Sequence, residues 1–76
     1  QDLQRSVYAV RANGSDVVEK AEKVFGGVTV INKADTPADE KAFVVKAMPY
    51  SEFAEKVAQL EADGVSVLSS IRVADL

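Results

Sequence analysis

Seventy-six residues with a formal net charge of −3 make one small domain, and 12 acidic against 9 basic residues argue against a nucleic-acid partner. Cysteine and histidine are both absent, which excludes disulfides, thiolate metal sites and a cysteine nucleophile and removes the commonest general base. No apolar run approaches the ~18 residues of a membrane span. With no secretory leader visible, the default expectation is a cytoplasmic protein with no membrane partner.

Residues 1–5 are polar and read as a flexible N-terminal segment, leaving 6–76 as a single domain. Residues 6–12 alternate as a strand, with Tyr8 and Val10 pointing inward and Val7, Ala9 and Arg11 outward. Asn13-Gly14 breaks the strand, since both residue types tolerate positive φ. Ser15 or Asn13 is then placed to cap a helix over 16–25. Its apolar positions Val17, Val18, Ala21, Val24 and Phe25 fall on one face. Asp16 with Lys20 and Glu19 with Lys23 form i,i+4 pairs on the other. Gly26-Gly27 stops the helix.

Residues 28–33 are rich in β-branched side chains and predict a second strand. The stretch 34–40 holds a proline and three acids without an apolar anchor, an exposed hairpin connection. A third strand over 41–48 places Phe43, Val45 and Ala47 on one face and Val44, Lys46 and Met48 on the wetter one. Pro49 ends it. The clearest helical period follows over 51–63, with Phe53, Val57 and Leu60 as its stripe, Ser51 as its cap and a Glu52–Lys56 pair outside. Gly64 stops this helix, and 65–73 reads as a fourth strand whose central Ser69-Ser70 marks a bulge or a close approach.

The order β-α-β-β-α-β predicts an α+β, ferredoxin-like sandwich: a four-stranded antiparallel sheet with two helices on one face. Ile31, Val44, Met48 and Leu68 are the apolar candidates for the face away from the helices. Either that face or the sheet edges offers a surface to a second copy.

No stretch carries the groups of an enzyme, so a non-catalytic module is expected. Asp35, Asp39 and Glu40 sit on a hairpin tip, which lacks the dry concavity that separates the pKa values of paired catalytic carboxylates. Their spacing does not match a calcium loop, so no metal site is expected. Ser15, Ser69 and Ser70 lack an activating base. Gly26-Gly27 follows a helix and is a cap instead of a phosphate loop; no cofactor is expected. The stretch Asn13, Gly14, Ser15 and Asp16 is the candidate ligand site. Amides at a helix start favour a carboxylate and Asp16 an ammonium, which together suit an amino-acid zwitterion. The plainer reading of the same four residues is a turn and a cap.

The pattern over 6–76 resembles an ACT domain, the βαββαβ regulatory module attached to many enzymes of amino-acid metabolism. Ala42-Phe-Val-Val-Lys46, the helix after it and Val67-Leu-Ser-Ser-Ile-Arg-Val-Ala-Asp75 are similar to the end of ACT domains of the homoserine dehydrogenase type. The resemblance implies a small amino-acid effector bound near the first strand–helix loop, here residues 13–16, and a homodimer or an attached catalytic domain as partner. In place of the family's Asp-x-Pro-Gly-like turn the chain reads Arg11-Ala-Asn-Gly-Ser-Asp16, keeping the glycine as Gly14. A second resemblance is to carboxypeptidase pro-domains, through the Thr36-Pro37 hairpin and the passage from Met48-Pro-Tyr50 to Val67. It implies a protease inhibitor or folding module. A stand-alone or engineered scaffold with no ligand is the remaining alternative.

Overall fold

The computed structural model describes residues 4–75. The elements are β1 (Arg5–Asn13), α1 (Val17–Phe25), β2 (Val28–Val30), β3 (Glu40–Pro49), α2 (Tyr50–Ala62) and β4 (Ser66–Asp75). The strands form one antiparallel sheet in the order β2-β3-β1-β4. This is the ferredoxin-like α+β fold that the sequence predicts. β1 starts at Arg5, whose guanidinium donates to the Ala47 carbonyl; of the segment expected to be flexible, residues 1–3 lie outside the described residues.

Alternation along β1 divides the sheet. Tyr8, Val10 and Ala12 are buried beside Phe43 and Val45 of β3. Val17, Ala21 and Phe25 of α1 and Phe53 and Leu60 of α2 close over them in one core. Tyr8 lies flat on Phe53, with ring centroids 4.1 Å apart and planes 12° apart. Phe25 tilts against both Phe43 and Phe53. Val57 of the α2 stripe is half-buried at the margin of this core.

The end of β3 corrects the expected faces. Met48, expected on the wet side, is completely buried, whereas Ala47, expected inside, is only half-buried. The cause is a shift of register. Tyr8 faces Val45 but Ser6 faces Met48, so β3 carries one residue more than β1 between these pairs. An extra residue reverses the inside–outside parity beyond it.

The two helices start without the expected serine caps. The α2 cap position is Pro49, extended at φ −65° and ψ 151°, and Ser51 lies inside the first turn. A proline needs no N–H partner there, and its fixed φ leads directly from strand to helix. At α1 the cap position is Asp16, not Ser15 or Asn13, and its side chain makes no capping hydrogen bond. Gly26 ends α1 as expected, left-handed at φ 77°, its N–H bonded to the Glu22 carbonyl at 2.9 Å.

Lys20 and Lys56 reach across to the neighbouring helix instead of completing i,i+4 pairs. Lys20 Nζ donates to the Asp63 carbonyl at 3.0 Å, and Lys56 Nζ to the Val24 carbonyl at 3.2 Å. Each acceptor is near the C-terminal end of its helix, where free carbonyls and the helix dipole favour a cation.

β2 is shorter than predicted because a side chain takes over its pairing. Ile31 N–H still bonds the Ala42 carbonyl, but the Ala42 N–H goes to Asn32 Oδ1. Thr36 then closes the turn with Lys33, accepting from its N–H at 2.8 Å and donating to its carbonyl at 3.0 Å. At the opposite edge, β4 runs for 10 residues with two register shifts against β1. Val67 faces Ala12 while Ser69 faces Arg11, leaving Leu68 as the extra residue; Val73 is the extra residue of the second shift. The bulge expected around Ser69-Ser70 therefore lies one residue earlier.

Candidate functional site

The loop between β1 and α1 is shaped by a close approach of two backbones. Asn13 is the last residue of β1 and pairs with Glu40 on one side and Ser66 on the other. Gly14 follows at φ 141°, and a Cβ there would stand 3.2 Å from the Gly64 carbonyl oxygen and 3.4 Å from the Val65 Cα. The loop thus rests on the turn between α2 and β4. Ser15 is exposed, and Asp16 takes the left-handed conformation at φ 54° and ψ 42°. Short polar residues such as Asp visit that region more readily than most. The Asp16 carbonyl accepts the first bond of α1 from Lys20 N–H at 3.0 Å.

Beside this loop lies an open groove of about 350 Å³, lined by Asp16, Glu19, Lys20, Lys23 and Asp63. Residues 16, 19, 20 and 23 occupy one stripe of α1, because positions three and four apart on a helix stand above one another. Asp63 comes from the cap position of α2, brought across by the turn against which Gly14 packs. Of the four residues singled out in the sequence, only Asp16 lines the groove. Asn13 is paired within the sheet, Gly14 packs against the Gly64–Val65 turn, and Ser15 is exposed outside the lining.

The groove brings together three carboxylates and two ammonium groups. Lys20 is held across it by the Asp63 carbonyl, so the groove joins α1 to the end of α2. Glu19, Lys20 and Lys23 were legible in the sequence as a charged helix stripe. Asp63 was not, because only the packing of the two helices places it there.

The remaining candidates stay apart. Asp35 and Asp39 are exposed on the hairpin, and Glu40 pairs with Arg11, its Oε1 3.1 Å from Nε. Among the described residues no three carboxylates gather in a way that could hold a metal ion. Ser69 faces Arg11 and Ser70 faces Val10, which puts these adjacent serines on opposite sides of the sheet. No helix among the described residues is long and apolar enough to cross a membrane. No family model, curated protein or solved structure matches the chain.

Proposed function

We propose that the chain is a non-catalytic binding module of the regulatory kind. It holds a small amino acid in the groove at the entrance of α1, and works as a homodimer or beside an attached catalytic domain. The observation that carries this reading is the mixed charge of the groove. A zwitterion places an ammonium and a carboxylate on one carbon, so its site needs acceptors and donors within a few ångströms of each other. Asp16, Glu19 and Asp63 supply the acceptors, Lys20 and Lys23 the donors. The groove's 350 Å³ is at the small end of ligand sites, which run from about 300 to 1,000 Å³. The resemblance to ACT domains points to the same loop and the same ligand class.

The regulatory step follows from position. A ligand in the groove touches α1 and the α2–β4 turn at once, and biases whatever arrangement of partners depends on how those two meet. Its effect is limited to the difference in its affinity for the two arrangements.

Thermal melts against a panel of free amino acids test the reading. One or a few should raise Tm, since a ligand that binds only the folded state stabilises it by mass action. The shift should vanish in Asp16→Ala and in Lys23→Ala. A flat panel, or a shift that survives both substitutions, removes the proposal.

A further inference from the structure

The sheet has a second face, away from the helices, and no described element covers it. Its members follow from register, because residues directly opposite in an antiparallel sheet share a face. Ala9 faces Val44 on one side and Ile71 on the other; Arg11 faces Ala42 and Ser69; Thr29 faces Val44. At the centre is a depression of about 220 Å³, with Ala9 and Ala42 among its lining and Ile31 and Ile71 at its flanks. These two isoleucines stand 40% and 61% exposed, at the β2 and β4 edges of this same face.

We infer that this face is the contact between two copies of the chain, packed sheet against sheet about a two-fold axis. A two-fold contact uses one patch twice, so that patch must carry both the projection and the hollow. Here the exposed isoleucines project on either side of a hollow lined by Ala9 and Ala42 together with Arg11 and Ser69. Charge permits the match as well. Arg11 and Glu40 neutralise each other on this face, so two identical surfaces meet there without an unpaired like charge at the pair.

Size sets the class of interface. With strands about 4.8 Å apart and ~3.3 Å per residue, the face covers roughly 500 Å² per copy. Together two copies bury about 1,000 Å², the lower limit for a specific interface and below the ~1,600 Å² of a standard one. At that size a weak dimer that dissociates on dilution is the expectation. The inference deepens the self-association in the proposed function and does not depend on the groove or its ligand.

Sedimentation velocity of the full chain without ligand, from low micromolar to about 1 mM, is the test. The wild type should pass from monomer to dimer across that range. Ile71→Lys and Ile31→Lys should each weaken the dimer at least about tenfold, since a buried lysine opposite an apolar surface is costly. Both sites are exposed in the monomer, so far-UV circular dichroism should stay unchanged. Pairing through the β4 edge would respond to Ile71→Lys alone, and pairing through β2 to Ile31→Lys alone; either pattern overturns the inference. So does a wild type that stays monomeric throughout. A flat amino-acid panel with an intact dimer would remove the ligand site and leave this contact standing.

Discussion

The two faces of the sheet are built from the same strands and differ in almost every physical respect. Toward the helices point Tyr8, Phe43, Val45 and Met48, all buried and most of them large. Away from them point Val7, Ala9, Ala42 and Val44, small or β-branched and only half-covered, flanked by exposed isoleucines. A strand's period of two delivers neighbouring residues to these two destinations. The first face carries the stability of the fold, while the second remains available for contact.

Neighbours on β3 test that division most severely. Phe43→Ala should cost ~3–5 kcal/mol, because it opens a cavity among Phe25, Val10 and Val45. Leu60→Ala, on the helix side of the same core, should cost ~2–5 kcal/mol. A domain whose whole stability is near the low end of ~5–15 kcal/mol would be largely unfolded by either. Urea denaturation at a protein concentration below dimerisation measures both.

Gly14→Ala comes next, at ~1–3 kcal/mol, since the new Cβ meets the Gly64 carbonyl and φ lies outside the range an alanine favours. If it costs nothing, the two turns are not in contact as described. Val44→Ala should cost about 1 kcal/mol or less, because its side chain is only half-covered in the monomer. A loss as large as that at Phe43 would mean the faces are not distinct. Smallest of all, Ile71→Lys should change monomer stability by no more than ~0.5 kcal/mol while weakening self-association.

The order of elements was legible because each announces itself locally. Tyr8 and Val10 alternate with Arg11, the stripes at 17/21/25 and 53/60 keep helical period, and Gly26-Gly27 marks the end of the first helix. What was not legible depended on contacts between distant segments. Met48 went to the core because β3 gained a residue against β1, and no local pattern encodes the register of two strands. β2 ended early because the Asn32 side chain replaced a backbone partner ten residues on. Ser51 looked like a cap, yet Pro49 already had the extended backbone that a helix start requires. The groove was half-readable for the same reason. Asp16 and its stripe belong to one helix, whereas Asp63 joins them only through tertiary packing.

The pairing of β1 with β4 has a topological consequence. Ser6 and Asp75 are opposite each other, which brings the outer ends of the first and last strands to one corner of the sheet. Cα atoms so paired are about 5 Å apart. A short glycine–serine bridge between them, with the chain reopened in the exposed hairpin near Asp35, would give a circular permutant with the same strand order in space. By the same token the domain can be spliced into a surface loop of a host protein without forcing the host's own strands apart.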